Sequence, residues 1–120
     1  MTVKKNLQED AYFQIIRLME TNPQITQREL ADKLGISLGK VNYCVNALMA
    51  KGWIKLQNFS ANPRKIGYFY LLTPEGVKEK TVLTAKFLSR KMKEYEQIKV
   101  EIDALKIEVK RSNQGSENYD

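Results

Sequence analysis

Residues 27–48 read QRELADKLGISLGKVNYCVNAL, and this stretch decides the fold. With Thr26 in front, Thr26-Gln27-Arg28-Glu29 has the form of a capping box. The Thr26 hydroxyl can accept from the Glu29 amide while the Glu29 carboxylate reaches back to the Thr26 amide. A helix is therefore expected to open here, with Leu30, Ala31 and Leu34 on its inner side. Gly35 suits the positive φ needed just past a helix end. After Ile36, Ser37 is a good N-cap for a following helix over residues 37–51, which Gly52 terminates. Two helices crossing steeply through a very short turn need a small residue at the contact and glycine at the corner. Ala31 and Gly35 meet those needs, and Leu30, Leu34, Ile36, Val41 and Cys44 give the apolar lining of a helix-turn-helix.

On a wheel of 100° per residue, Val41, Cys44, Val45 and Leu48 fall on one side of the second helix. Gly39, Asn42, Tyr43 and Asn46 fall opposite, with Lys40 at the flank. The outer side is polar and free of acids, which suits a groove of duplex DNA. Amides at Asn42 and Asn46 can read base edges, against the alternative of ordinary solvated helix surface. Lys40, the Ser37 hydroxyl and the backbone amides of the helix N-terminus, at Leu38 and Gly39, can meet phosphates. Thr26, Gln27 and Arg28, at the start of the preceding helix, complete the DNA-facing set. Gly39 costs about 1 kcal/mol inside a helix relative to alanine. It is explained either by close approach of the backbone to DNA or by packing against the preceding helix. Tyr43 either stacks on a sugar or base or shields the turn. Cys44 faces inward and reads as a structural thiol rather than a redox sensor.

Working outward, Ala11, Tyr12, Ile15, Ile16, Leu18 and Met19 predict a helix over residues 8–20, stopped by Asn22-Pro23. Trp53 to Leu56 reads as a short strand. Residues 57–65, with Asn58, Asn62 and Pro63, read as a turn, and Ile66 to Leu72 as the returning strand. Strand, basic turn and strand after a recognition helix make a wing, with Arg64 and Lys65 at its tip, able to reach the backbone or minor groove. Thr73-Pro74-Glu75 is a strong helix start. No proline follows Pro74, and no glycine lies between Gly76 and Gly115, so one helix can run to about Arg111. The expected fold is mainly α with a two-stranded β wing. A winged helix-turn-helix over 7–76 is followed by a long C-terminal helix over 77–111 and a disordered polar tail over 112–120.

Composition narrows the function. At 120 residues, with 42% hydrophobic content, the chain can form one modest core but not a large enclosed catalytic cavity as well. The absence of histidine removes Ser-His and Cys-His nucleophiles and any histidine-bearing zinc site. With no Gly-rich phosphate loop either, no enzyme, metal or cofactor is expected. The one cysteine excludes an internal disulfide. No apolar run approaches membrane-spanning length, and residues 1–10 lack the apolar stretch of a secretory signal, so a cytoplasmic, nucleoid-associated protein is expected. Net charge is +6, and no Asp or Glu lies between Asp32 and Glu75, whereas Lys33, Lys40, Lys51, Lys55, Arg64 and Lys65 do. An acid-free basic block around the helix-turn-helix suits a phosphate-bearing partner.

Residues 27–37, together with Val41 to Leu48, Lys51-Gly52-Trp53-Ile54 and Leu71-Leu72-Thr73-Pro74-Glu75-Gly76, resemble the MarR family of bacterial transcription regulators. The likeness spans about Tyr12 to Met92. It looks closest to the short branch associated with exopolysaccharide gene clusters. The resemblance implies a homodimeric repressor or activator on a palindromic operator, with the family's wing arginine at Arg64. Asn62-Pro63 stands where the family's wing usually carries an acid. One long helix stands where the family has several around its dimer interface, so a small-molecule effector is not expected.

From Tyr95 the chain fits a heptad. Tyr95, Ile102 and Val109 take position a, with Leu88 one heptad upstream, and Ile98 and Leu105 take position d. Glu94 and Glu101 fall at g, and Lys99 and Lys106 at e. Opposite charges meet across a parallel pair and like charges across an antiparallel one, so a parallel pair is expected. Val100 and Ile107 lie outside this seam as a second apolar edge. The sequence thus predicts a homodimeric, sequence-specific DNA-binding regulator. The alternative is a winged-helix protein–protein interaction module without sequence-specific DNA binding.

Overall fold

The computed structural model describes residues 2–59 and 67–117. The order is α1 (Thr2–Thr21), α2 (Gln27–Leu34), α3 (Leu38–Ala50), β1 (Ile54–Phe59), β2 (Gly67–Leu72) and α4 (Pro74–Glu117). This is a mainly helical winged helix-turn-helix with a two-stranded antiparallel wing and a long C-terminal helix. No described helix is long and apolar enough to cross a membrane.

Both expected caps form. The Thr26 hydroxyl accepts from the Glu29 amide at 3.0 Å, and the Glu29 carboxylate accepts from the Thr26 amide at 3.4 Å. Gly35 turns at φ 66° and its N–H bonds the Ala31 carbonyl, closing α2. The Ser37 hydroxyl accepts from the Lys40 amide at 3.1 Å and opens α3. The β1–β2 pairing runs from Ile54 opposite Leu72 to Phe59 opposite Gly67. The Tyr70 amide also donates to the Pro23 carbonyl at 2.8 Å, tying β2 to the loop after α1.

Helices α1, α2 and α3, the start of α4 and the root of the wing share one core. Ile15, Ile16, Met19, Ile25, Leu30, Val41, Val45, Cys44 and Leu48 are essentially sealed from solvent. Each of the large aliphatic side chains contributes roughly 1.5–3 kcal/mol by leaving water. Phe13, Ile54 and Leu83 join them. Tyr12 meets Trp53 edge to face, with ring centroids 6.3 Å apart, so α1 braces the start of β1.

The chain forms two compact units, Met1–Ala85 and Lys86–Asp120. The first runs beyond the boundary expected at Gly76, because Leu83 is buried in it and Lys80 pairs with Glu20. Within the second, the helix continues to Glu117, past the stop expected at Arg111. Residues 112–117 are therefore helical rather than a disordered tail. No proline interrupts them, and Gly115 lowers helix propensity without blocking a backbone hydrogen bond. At the other end, α1 starts at Thr2 rather than Gln8, because no glycine or proline precedes Pro23. Strand β1 reaches Phe59, so the hairpin is longer than the expected Trp53–Leu56 strand. Ala11, Leu18 and Leu34, expected on inner faces, are only half-buried.

Candidate nucleic-acid interface

The inner side of α3 fixes its outer side. With Val41, Cys44, Val45 and Leu48 buried, Gly39, Lys40, Asn42, Tyr43 and Asn46 are all exposed. Tyr43 is 62% exposed. Leu38, in the first turn, is 46% exposed. Thr26 and Arg28 are exposed on the start of α2, and Gln27 is half-buried. Arg64 and Lys65 lie outside the described residues, so the wing-tip contacts expected of them have no described geometry.

At Gly39, a Cβ would meet no atom within 4 Å. Packing against α2 therefore does not require glycine there, which removes one of the two explanations drawn from sequence. Gly76 behaves oppositely. A Cβ at that position would sit 1.9 Å from the Trp53 carbonyl oxygen, so only glycine lets the first turn of α4 reach the root of the wing.

Three of the candidate residues are coupled. The Asn42 side-chain amide donates to the Gln27 carbonyl oxygen at 3.2 Å, and the Asn46 amide donates to the Asn42 carbonyl oxygen at 3.2 Å. A chain of amides thus runs from the start of α2 along the outside of α3. Sequence reasoning missed the coupling. Gln27 and Asn42 are 15 residues apart, and only the crossing of α2 and α3 brings them together.

Leu7 and Gln8 line a cavity of about 440 Å³ with Lys40, Tyr43 and Cys44. The N-terminal turns of α1 thus lie beside the candidate recognition helix, and Leu7 was also missed because the helix was expected to start after it. Gln8 donates to the Tyr12 hydroxyl at 2.8 Å. Burial pushes the Tyr12 phenol up, reinforced by Cys44 and Tyr43 and opposed by the Gln8 hydrogen bond. Burial also pushes the Cys44 thiol up, with Lys40 opposing. A raised thiol value favours the protonated form, the opposite of what thiolate reactivity needs. No cluster of potential metal ligands occurs among the described residues.

In the second unit, Leu88, Met92, Tyr95, Ile98, Ile102, Leu105 and Val109 are all exposed. Ile102, Leu105 and Val109 line a shallow apolar groove with Lys106 and Lys110. Val100 and Ile107 are exposed as well.

Comparison with known proteins agrees with this architecture. No curated protein matches the sequence. FabT of Streptococcus pneumoniae, solved in complex with DNA, is 19% identical over 94% of this chain and 76% of its own, with a TM-score of 0.49. MepR from a multidrug resistant S. aureus clinical isolate, solved as a point mutant, is 20% identical over 81% of this chain and 74% of its own, with a TM-score of 0.50. ZitR of Lactococcus lactis, also a point mutant, is 24% identical over 82% of this chain and 73% of its own, with a TM-score of 0.51. ZitR and MepR share the fold. In sequence, residues 13–55, from within α1 to the start of β1, match the winged helix-turn-helix DNA-binding family.

Proposed function

We propose that this chain is a sequence-specific DNA-binding transcriptional regulator of the MarR type, cytoplasmic and acting as a homodimer. Helix α3 enters the major groove, with Asn42 and Asn46 at base edges and Ser37, Leu38, Gly39 and Lys40 at phosphates. Tyr43 stacks on a sugar or base, and Thr26, Gln27 and Arg28 approach the flanking strand. The wing, through Arg64 and Lys65, lies on the backbone or in the minor groove. The observation that carries this reading is the two-sidedness of α3. Val41, Cys44, Val45 and Leu48 are fully buried on one side, and the exposed side holds amides, a tyrosine, a glycine, one lysine and, in the first turn, Leu38, without an acid.

The second unit supplies the pairing device. Leu88, Tyr95, Ile98, Ile102, Leu105 and Val109 form the seam of a parallel two-stranded coiled coil. Their exposure along one helix supports this, as does the placement of Glu94 and Glu101 against Lys99 and Lys106. A two-fold dimer calls for a palindromic operator with half-sites about one helical turn apart. The likeness to the exopolysaccharide-associated branch suggests exopolysaccharide genes as targets.

Selection of bound duplexes from a random pool, followed by a salt titration, tests the reading. Enrichment of a palindrome and a steep fall in affinity with salt are expected, with Lys40→Ala and Arg64→Ala each lowering the slope by about one. A flat salt dependence would point instead to a module that binds protein.

A further inference from the structure

The amide chain on the outer face runs with one polarity, and that polarity bears on which base it accepts. Gln27 presents only its carbonyl oxygen to Asn42, and Asn42 presents only its carbonyl oxygen to Asn46. An unrestrained asparagine amide can rotate by half a turn and exchange its donor and acceptor. Here Asn42 is held at both ends, because its nitrogen gives one hydrogen to Gln27 and its oxygen takes one from Asn46. Hydrogen bonds in series with one polarity reinforce one another. After these bonds, Asn42 keeps one N–H and one oxygen lone pair for a further partner. Asn46 keeps one N–H and its carbonyl oxygen.

We infer, on the basis of the DNA-binding reading above, that Gln27 is a positioning residue that locks Asn42 and Asn46 to read adenine. Adenine offers an acceptor at N7 and a donor at N6, the complement of an amide N–H beside an amide oxygen. Guanine offers acceptors at both N7 and O6, so its O6 would face the amide oxygen with no hydrogen between them. The two asparagines lie one helical turn apart, about 6 Å along the axis. Base pairs rise about 3.4 Å per step, so the adenines are expected at adjacent or next-but-one positions in each half-site. Gln27 belongs to α2 and the readers to α3, so specificity depends on the crossing of the two helices as well as on α3 itself.

The test measures base preference, taken as the ratio of affinities for adenine and guanine at one position of the selected duplex. The full-length chain is compared with Asn42→Ala, Gln27→Met and Gln27→Glu. Glutamate retains the acceptor oxygen that Asn42 needs, whereas methionine has none. The unaltered chain is expected to prefer adenine by roughly five- to 150-fold, the range of one bidentate contact. Asn42→Ala should abolish the preference at a single position of the half-site. Gln27→Met should cut the Asn42 preference to within about threefold, while Gln27→Glu keeps it even if its added charge weakens binding overall. Melting temperatures of all variants confirm folding, and a merely structural Gln27 would not separate the two replacements by base ratio. Enrichment of guanine, or equal behaviour of Gln27→Met and Gln27→Glu, overturns the inference and leaves DNA binding intact. Failure of the unaltered chain to bind any duplex overturns the parent reading, and this inference with it.

Discussion

Replacing Gly39 by alanine should raise stability and weaken DNA binding together. Gly39 is in the first turn of α3, with helical rather than positive φ, and an added Cβ meets nothing within 4 Å. The new methyl group therefore clashes with nothing in the protein, and the chain gives up less conformational freedom on folding. The expected gain is about 0.5–1 kcal/mol. For a cooperative unit the size of Met1–Ala85, that is an increase in Tm of roughly 2–8 °C. The same methyl points toward the space assigned to DNA. If it displaces one amide-to-phosphate hydrogen bond at the head of α3, the loss is about 1.5–3 kcal/mol, or roughly 10- to 150-fold in Kd. Thermal unfolding by circular dichroism gives the first quantity, and fluorescence anisotropy on a selected duplex gives the second. Gly115→Ala is the control, since Gly115 is also helical with open space around it but lies far along the chain from α3. It should leave Kd unchanged. A higher Tm with unaltered Kd for Gly39→Ala would refute the close approach of the backbone to DNA. A lower Tm would refute the local geometry itself.

Gly76→Ala should act in the opposite sense, losing about 1–3 kcal/mol in urea unfolding, because its Cβ would overlap the Trp53 carbonyl. Thr26→Ala removes the capping box of α2 and should cost about 0.5–2 kcal/mol, with Thr26→Ser retaining most of it. Stability should also fall in alkali. The folded-state Cys44 value is raised by burial, so its contribution is complete below the ordinary thiol value of 9.0 and is lost as pH climbs through the folded value. Urea unfolding at pH 7 and at pH values above 9 should show that loss, and Cys44→Ala, though destabilised at every pH, should show less of it.

What the sequence displays directly is whatever depends on near neighbours in the chain. The capping box at Thr26, the positive φ at Gly35 and the Ser37 cap each involve residues within one turn, and each forms as expected. The split of α3 into valine-bearing and asparagine-bearing sides follows from helical periodicity alone. Helix ends were less legible. Residues 2–7, with only Val3 and Leu7 apolar, and the polar residues 112–117 are too short and too polar to display a helical period, yet nothing in them stops a helix that is already running. The bond between Gln27 and Asn42 left no mark at all, since it depends on the angle between two helices. Gly39 was ambiguous until its surroundings were known. A glycine that packing demands and one that packing leaves free are the same letter, and only the empty space at position 39 and the carbonyl at position 76 separate them.

The contrast between those two glycines also shows how the wing is held. Thr73 joins the end of β2 to the start of α4. Its hydroxyl bonds the Gly52 and Trp53 carbonyls and accepts from the Gly76 amide at 3.0 Å. Its own amide donates to the Trp53 carbonyl at 3.0 Å, and the Trp53 amide donates to Leu48 at 3.0 Å. The C-terminal end of α3, both roots of the wing and the first turn of α4 therefore meet within a few residues. A hairpin of two strands is marginal on its own, and this one is fastened where it leaves the core. Its base therefore has little freedom to tilt independently of α3. Helix and wing can then approach a duplex as one rigid surface, and contacts made by one limit the positions open to the other. Preorganisation of this kind reduces the ordering that binding must impose, and it originates in Thr73 and Gly76, neither of which needs to touch DNA.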